Sequence, residues 1–447
     1  MNLSIDMGRY KGYRLNSRPE ADPELTHVTP GTPAGEYLRR FWHAIALSSE
    51  IRDLPVGIQV MGEDLVLFRD LKGRIGLLHR HCMHRQASLE YGRISEQGIR
   101  CCYHGWLFDV DGTVLDMPGE PDGGQTKRLR DTYRQGAYPA LEYKGLVFAY
   151  MGPPELAPPF PIYDTFEIPE TEMVPYAAEF PCNWLQVTEN GIDPVHSMFL
   201  HTNVNGAQFA ETWGVIGEVE YLDADISVYC TIGRRVGDNI WTRVQENILP
   251  NITQSGAVLT IDGKSQKYFG RNTFFRWCLP VDNTNTRVLG WANFGSRTDP
   301  KELNTPENIE RLEQGEVFDR TYEEEQRRPG DYAAMTGQGP IVVHEREHFV
   351  TSDRGVARFR NRIKRAVREL ANKTEPTQPT ARGITPIPTY SGDTVLNLPV
   401  TGNSDKERVR ETVNRVFETI RSADRLSGEK RDSFIIEELK KLERASN

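Results

Sequence analysis

The sequence predicts an α+β fold, in which a small all-β domain precedes a larger mixed domain and C-terminal helices. Short strand-like runs separated by turn residues fill positions 43–152, and this spacing is typical of an all-β domain. From 183 onward, helical patterns alternate with longer strand-like runs, which favours a second domain of mixed content. Amphipathic patterns over 409–420 and 434–442 predict two terminal helices.

Proline-rich and polar stretches give the expected domain boundaries. Residues 1–42 are polar, and we expect this N-terminal segment to pack on the second domain. The proline-rich stretch 153–161 ends the all-β domain, which covers 43–155. The second domain covers 156–372, and residues 373–447 are expected to form an extended arm and C-terminal helices.

The elements of the second domain follow from hydrophobic periodicity. In chain order, the patterns predict a helix over 183–200, strands at 216–230, 240–250, 267–280 and 287–294, a hairpin turn at 282–285, and helices over 306–327 and 356–370. The arm itself covers 373–403, which is rich in Thr, Pro and Gly. The sequence leaves open whether the terminal helices cap their own domain or dock on a neighbouring subunit.

Composition excludes several classes of function. The 447 residues include 54 Lys and Arg against 63 Asp and Glu, which gives a net charge of −9 and argues against nucleic-acid binding. No stretch approaches the ~20 apolar residues of a membrane helix. The first residues also lack an apolar signal region. We therefore expect a cytoplasmic enzyme.

A pair of cysteine–histidine motifs carries the strongest chemical signal. Cys82-Met83-His84 is followed, after sixteen residues, by Cys101-Cys102-Tyr103-His104. Two thiolates and two imidazoles are the ligands of a Rieske [2Fe–2S] cluster, in which cysteines hold one iron and histidines the other. A structural Cys2His2 zinc site is the alternative, but the glycines and the β-rich surroundings favour the cluster.

The remaining cysteines favour an oxygenase over a respiratory protein. Respiratory Rieske proteins carry two further cysteines in a disulfide, and Ala87 and Tyr103 stand at those positions. Cys102 has no partner and is interpreted as non-ligating. Buried apolar packing is the expected role of the three isolated cysteines, which are Cys182, Cys230 and Cys278.

A second metal motif lies in the segment 189–201. Asp193, His196 and His201 form a D-x-x-H-x4-H pattern, and two imidazoles with one carboxylate suit a non-haem Fe(II) that binds O2 beside a substrate. Residues i and i+5 diverge by about 140° on a regular helix. We therefore expect His201 to lie where the helix ends or bulges.

The carboxylate that completes the iron site is expected from another part of the chain, not from Asp193. We choose Asp331, which follows Pro329-Gly330; its alternative role is a helix N-cap. Asp319 and Asp353 are the competing candidates.

Together these motifs resemble the Rieske non-haem iron aromatic ring-hydroxylating oxygenases, catalytic α subunit, and within them the phthalate dioxygenase-like branch. The resemblance spans about 36–355 and also includes the segments 279–286 and 337–341. Met83 stands where the family usually has proline, and Asp282-Asn283 replaces a more usual Asp-Asp. Both departures leave the ligand residues intact.

The resemblance implies a Rieske domain joined to a helix-grip (START-like) catalytic domain with an antiparallel sheet, assembled as a trimer or stacked trimers. It implies that Asp193 bridges the cluster of one subunit and the iron of its neighbour. The implied ligands are Cys82, His84, Cys101 and His104 for the cluster, and His196, His201 and Asp331 for iron. Electrons would come from a separate NAD(P)H-dependent reductase with a flavin and a ferredoxin-type cluster, since no nucleotide-binding fingerprint is visible.

The expected reaction is hydroxylation or dihydroxylation of an aromatic compound, with an aromatic carboxylate as the preferred substrate class. Arg243, on a strand-like stretch, could anchor the carboxylate, although a surface ion pair is an ordinary role for such an arginine. Asn190 could line the pocket near the iron. O- or N-demethylation by a vanillate demethylase-like monooxygenase is the alternative reaction.

Two rival functions are less favoured. His344-Glu345-Arg346-Glu347-His348 matches the H-E-x-x-H pattern of zinc proteases, with Glu369 as a possible third ligand. That motif requires a helix, yet a β-branched run precedes it at 341–343. A pure electron carrier would need neither the second metal motif nor the long second domain.

Overall fold

The computed structural model describes residues 10–12, 19–204, 206–208, 210–256, 267–299, 320–400 and 404–446. Its strands are β1 Trp42–Leu47, β2 Val56–Val60, β3 Glu63–Arg69, β4 Ile75–His79, β5 Arg93–Ile94, β6 Ile99–Arg100, β7 Leu107–Phe108, β8 Val114–Asp116, β9 Ala137–Tyr138, β10 Ala140–Tyr143, β11 Leu146–Tyr150, β12 Glu172–Phe180, β13 Glu218–Asp223, β14 Ser227–Val236, β15 Asn239–Ile248, β16 Ile252–Ser255, β17 Gly270–Arg271, β18 Phe274–Pro280, β19 Thr286–Phe294 and β20 Gly392–Asn397. Its α-helices are α1 Pro23–Thr26, α2 Pro33–Leu38, α3 Gly124–Thr132, α4 Trp184–Asn190, α5 Pro194–Met198, α6 Tyr322–Arg327, α7 Asp331–Thr336, α8 Arg354–Ala371, α9 Asp405–Ser422 and α10 Gly428–Ser446.

Three small antiparallel sheets form the N-terminal β domain. Their strand orders are β2-β3-β4-β9, β1-β11-β10 and β5-β6-β7-β8. Val66, Phe68 and Leu78 of the first sheet share a buried cluster with Cys82 and Cys101. The core of this domain therefore lies directly beneath the first cysteine–histidine motif.

A nine-stranded antiparallel sheet dominates the second domain. Its main path runs β12-β19-β18-β16-β15-β14-β13, and β20 pairs with both β15 and β17. The predicted hairpin turn at 282–285 joins β18 and β19. The Asp282 carboxylate closes this turn by accepting hydrogen bonds from the Thr284 N–H at 2.7 Å and the Asn285 side chain at 2.9 Å.

Helices cover both faces of this sheet. Phe359, Ile363 and Val367, spaced four residues apart on α8, pack in one core cluster with Cys230 and Ile232 of β14. On the opposite face, Val409 and Val413 of α9 pack directly on Gly233 of β14. A Cβ atom added to Gly233 would lie only 2.5–2.7 Å from these two side chains. The terminal helices thus pack on the sheet of their own chain, which answers the question that the sequence left open.

Buried ion pairs attach the last helix. Arg271 of β17 contacts Asp164 at 2.9 Å and Asp432 of α10 at 2.8 Å, and Arg431 contacts the same Asp164 at 2.8 Å. Removing one partner of such a group would leave an uncompensated buried charge. The C-terminal helix is therefore an integral layer of the second domain.

The segment expected to be an extended arm contains a strand. Gly392–Asn397 pairs with β15 over six residues, from Asn239↔Asn397 to Val244↔Gly392. Most of the predicted helical pattern over 306–327 lies outside the described residues, which include α6 alone from that stretch. Among the helices described here, none is both long and apolar enough to cross a bilayer.

Candidate metal centres

Two loops at the edge of the small β5–β8 sheet carry the first motif. The N–H of Cys82 donates to the Ala87 carbonyl at 2.8 Å, and the N–H of Cys101 donates to the Trp106 carbonyl at 2.8 Å. Gly105 has a φ of +75°, a conformation that favours glycine because it carries no Cβ. Each loop therefore turns tightly between its cysteine and the residues that follow its histidine.

The two cysteines of the first motif are buried, and its two histidine rings lie beside each other. Cys82 and Cys101 are both buried, and burial together with the neighbouring Cys101 thiol raises the pKa of Cys82 to about 11. The rings of His84 and His104 have centroids 4.6 Å apart. His84 also stacks on Trp106 at 4.5 Å with an interplanar angle of 5°.

This arrangement fits a two-iron cluster. The two thiols are buried, and the two half-buried imidazoles lie side by side. Burial, and to a smaller extent the neighbouring His104 ring, lowers the pKa of His84, and this favours the neutral imidazole that a metal ligand requires. Cys102 is exposed, in agreement with its interpretation as non-ligating. Met83 contributes its backbone N–H to the Gln135 side chain at 2.8 Å.

The second motif lies on three short helical turns. Helix α4 ends at Asn190, Asp193 caps α5, and the chain continues as a π-helical turn over Phe199–Asn203. The N–H of Val204 donates to the Phe199 carbonyl at 2.9 Å, which closes the wider i→i+5 ring. The predicted irregularity at His201 is this π turn, and it brings His201 to the same side as His196.

His196, His201 and Asp331 converge. Their ligand atoms all lie within 4.8 Å of one another, and Oδ1 of Asp331 is 3.4 Å from Nε2 of His196 and 3.3 Å from Nε2 of His201. Burial alone would raise the pKa of Asp331, but the two imidazoles hold it well below its usual range. Two imidazoles and one carboxylate at these distances fit a mononuclear metal ion.

Asp331 reaches this position as the first residue of α7, after Gly330. Of its competitors, Asp353 lies in a separate turn, where its side chain accepts from the Val350 N–H at 2.7 Å. Asp319 lies outside the described residues.

Asn190 and Asp193 contact the converging residues. Nδ2 of Asn190 donates to Oδ1 of Asp331 at 3.2 Å and lies 3.5 Å from Nε2 of His196. Asp193 approaches the other ring nitrogen, with Oδ2 3.7 Å from Nδ1 of His196. Burial would raise the pKa of Asp193, but His196 and the first N–H groups of α5 lower it overall.

Gln208 is a residue of the site that the sequence patterns did not indicate. Nδ1 of His201 lies 2.7 Å from Oε1 of Gln208, whose Nε2 donates to the Pro329 carbonyl at 3.1 Å. Gln208 therefore links one histidine to the loop that carries Asp331. No local pattern indicates this role, because the Pro329 contact joins residues 121 positions apart.

The charge of Arg243 is already paired with a carboxylate of the same chain. Its guanidinium forms a buried pair with Asp393, with Nε–Oδ1 at 2.8 Å and Nη2–Oδ2 at 2.9 Å. The sequence placed Arg243 on a strand, as observed in β15, but could not indicate this partner on β20. A substrate carboxylate would have to displace Asp393 to bind here, and we do not retain Arg243 as the anchor.

The H-E-x-x-H segment lacks the helix that a zinc protease requires. His344–Arg346 form a single 3₁₀ turn, after which the backbone is extended at Glu347. Glu347 pairs with Arg360, which also binds Glu189 at 2.6 Å. Arg360 of α8 therefore joins Glu347 of this segment to Glu189 of α4, and the two histidines of the segment do not share a helix face.

Comparison with known proteins agrees with the two centres. A family model described as Rieske [2Fe-2S] domain matches residues 41–132. The oxygenase subunit of tert-butanol monooxygenase / tert-amyl alcohol desaturase from Aquincola tertiaricarbonis is 38% identical over 97% of this chain and 96% of its own length. Phenoxybenzoate dioxygenase subunit alpha from Ectopseudomonas oleovorans is 41% identical over 77% of this chain and 84% of its own.

A third relative and one solved structure extend this comparison. The 5,5'-dehydrodivanillate O-demethylase oxygenase subunit from Sphingobium sp. is 32% identical over 84% of this chain and 88% of its own length. The crystal structure of dicamba monooxygenase bound to dicamba superposes with a TM-score of 0.57 at 18% identity, covering 76% of this chain and 100% of the other. At that identity the structural match shows a shared fold.

Proposed function

The chain belongs to the Rieske non-haem iron oxygenases, and we propose that it is the oxygenase component of a multicomponent system that hydroxylates or dihydroxylates an aromatic carboxylate. It is an oxidoreductase whose cofactors are a Rieske [2Fe–2S] cluster and a mononuclear iron. The observation that carries the proposed reaction is the convergence of His196, His201 and Asp331 within 4.8 Å, in the same chain as the cysteine–histidine loops.

In this proposal each ligand set performs one task. Cys82 and Cys101 would hold one iron of the cluster, and His84 and His104 would hold the other. His196, His201 and Asp331 would hold the mononuclear iron, and a site with three protein ligands would leave room for O2 beside a substrate. When bound, the cluster transfers electrons and the iron activates O2.

The surrounding residues hold the ligands and a proton. Asp193, whose Oδ2 lies 3.7 Å from Nδ1 of His196, would favour a proton on that nitrogen and leave Nε2 free to bind the metal. Gln208 does the same for His201. Asn190 donates its amide N–H to Oδ1 of Asp331 and so orients this carboxylate.

Electron transfer between subunits is part of the proposal. Tyr103, next to His104, is 56% exposed, and the Asp193 side chain retains 29% exposure. Both centres therefore have a group at the surface, which supports contact between the cluster of one subunit and Asp193 of the next. The assembly would be a homotrimer or stacked trimers, reduced in the cytoplasm by an NAD(P)H-dependent reductase with a flavin and a ferredoxin-type cluster.

The relatives define the substrates to be compared. One is named for phenoxybenzoate, one for O-demethylation of dehydrodivanillate and one for tert-butanol. The first supports an aromatic acid, the second supports O- or N-demethylation as the alternative reaction, and the third adds tertiary alcohols to any screen.

A single-turnover experiment tests the proposed function. The chemically reduced protein, loaded with both metals, is mixed with isotope-labelled O2 and one candidate substrate, and cluster absorbance and product mass are followed. We expect an aromatic acid to accelerate cluster oxidation and to gain labelled oxygen. Acceleration by tert-butanol alone would overturn the substrate class, and no oxygen incorporation with any candidate would overturn the function.

A further inference from the structure

Two arginines and two tryptophans form a buried group at one end of the large sheet. Arg234 on β14 pairs across strands with Trp241 on β15, and Arg243 of β15 pairs with Asp393 of β20. Trp213 completes the group, with the Arg243 guanidinium 4.3 Å from its ring centroid. We call these five residues the arginine–tryptophan cluster.

Among the residues that the structure describes, a carboxylate contacts only one of the two arginines. The Asp393 side chain binds Arg243 through both oxygens and also accepts from Nε1 of Trp241 at 2.6 Å. Its two oxygens are therefore engaged by these two residues. The cluster contains two guanidinium groups and one carboxylate, so it carries an excess of one positive charge.

Arg234 carries that excess. It is 1% exposed, and its Nε donates to the Val215 carbonyl at 3.2 Å. Both η nitrogens are buried and have no acceptor within the described part of the chain. Its guanidinium stacks 4.5 Å from the Trp241 ring centroid. Burial, and to a smaller extent the positive charge of Arg243, lowers the pKa of Arg234 to about 9.

A buried guanidinium without an acceptor is costly unless a partner completes it. An arginine presents its N–H groups in a planar fork that matches a carboxylate in a bidentate arrangement. The missing partner is therefore an anion, and a carboxylate fits the planar fork of Arg234.

The cluster is connected to the iron-binding segment. Trp213 lies in the short 3₁₀ helix Glu211–Gly214, which is tied to the π turn by a hydrogen bond from the Asn203 side chain to the Gly214 carbonyl at 2.9 Å. On β14, Arg234 alternates onto the same sheet face as Cys230 and Ile232, which pack in one core with Ile192 and Met198 of the iron-binding segment. A ligand anchored at Arg234 thus lies on the face of the sheet that carries the metal site.

We propose that Arg234 is the residue that binds the carboxylate of the substrate, within the arginine–tryptophan cluster. This inference rests on the proposed function and names the specificity-determining residue for an acid substrate. In this proposal Nε keeps its hydrogen bond to the Val215 carbonyl, and the carboxylate would accept from the two η nitrogens. Arg243 and Asp393 act as the fixed wall against which the acid is held.

Binding measurements on the metal-loaded protein test this without turnover. The probes are 3-phenoxybenzoate, its neutral amide and inorganic phosphate, measured by titration calorimetry and by the shift of the melting temperature. We expect the wild type to prefer the acid over the amide by roughly 30-fold or more, since a buried charge pair contributes on the order of 2 kcal/mol. R234M should abolish this preference.

Three further variants make the outcome interpretable. R235M removes an arginine from the opposite face of the same strand, where it pairs with Asp405, and should keep the preference. R243M removes the cationic partner of the buried Asp393 carboxylate and should lower the melting temperature, whereas R234M without ligand should not, because it removes an uncompensated charge. R234K keeps the charge but not the fork, and should retain only part of the preference.

Several results would overturn the proposal. These are an R234M protein that keeps the preference for the acid, an R234M protein destabilised as strongly as R243M, and phosphate binding as tight as that of the acid. A wild type that shows no preference for the acid while passing the single-turnover test would reject the role of Arg234 and leave the oxygenase function standing.

Discussion

Asp193 uses its two carboxylate oxygens for different partners in the turn that precedes His196. Oδ1 accepts a hydrogen bond from the N–H of Val195 at 2.8 Å, and Oδ2 lies 3.7 Å from Nδ1 of His196. From the sequence alone, a helix cap and a partner of the histidine are alternative roles for this residue. The geometry joins the two, since the cap fixes the carboxylate that faces the ring.

Asp193→Asn separates these roles. The amide oxygen can still cap α5, but an amide nitrogen facing Nδ1 cannot accept its proton. We expect a folded protein that keeps both metals and is reduced normally, whereas oxidation of the reduced cluster by O2 with substrate present slows by about 10- to 100-fold. Stopped-flow absorbance measures this rate, and a wild-type rate would leave Asp193 as a cap only.

His84→Cys tests the outer ligands of the cluster. A third thiolate adds negative charge and lowers the reduction potential. We expect a ferredoxin-like spectrum or loss of the cluster, and no turnover with a reductase in either case. Electron paramagnetic resonance distinguishes these outcomes, and a variant with the wild-type Rieske signal would remove His84 from the ligands.

Asp331→Ala tests the mononuclear site. Two imidazoles alone should release the iron while the cluster remains, so that iron content falls from about three to about two per chain. Metal analysis together with the visible spectrum measures both centres in one sample. Asp353→Ala is the control, and loss of iron in that variant in place of Asp331→Ala would show that the carboxylate ligand is misassigned.

How far the sequence predicts the site depends on how many positions separate the interacting residues along the chain. The four cysteine and histidine positions, His196 and His201 are close enough in sequence for spacing to carry the chemistry. The roles of Arg243 and Arg234 depend on which residues fold against each strand face, and a strand pattern gives alternation without naming the partner. The strand Gly392–Asn397 was not predicted for the same reason, because its neighbour β15 lies about 150 residues earlier in the chain.

His43 predicts a pH dependence of stability at the contact between the two domains. Its Nε2 lies 2.7 Å from the Leu38 carbonyl and its Nδ1 accepts from Asn251 at 3.3 Å, and burial lowers its pKa to about 4. The unfolded chain binds this proton near pH 6.5, so the contribution is complete above pH 6.5 and is lost as the pH falls toward 4. The loss is on the order of 3 kcal/mol.

His43→Gln isolates this effect, because glutamine supplies a donor and an acceptor without titrating. Melting temperatures between pH 7 and pH 4 should fall more steeply for the wild type than for the variant. Parallel curves would show that other groups govern the acid sensitivity.

Gln208→Leu tests the residue that joins His201 to the loop of Asp331. Leucine has nearly the same volume but can neither accept the proton on Nδ1 of His201 nor donate to the Pro329 carbonyl. Because partners of this kind contribute about 10- to 100-fold to metal affinity, we expect Fe(II) binding to weaken by that factor in competition with a chelator. The cluster spectrum and the melting temperature of the N-terminal domain should not change.

Gln208→Glu keeps the acceptor for His201 but loses the donor, so it should bind iron more tightly than Gln208→Leu. Equal affinity in both variants and the wild type would show that His201 is oriented by the π turn alone.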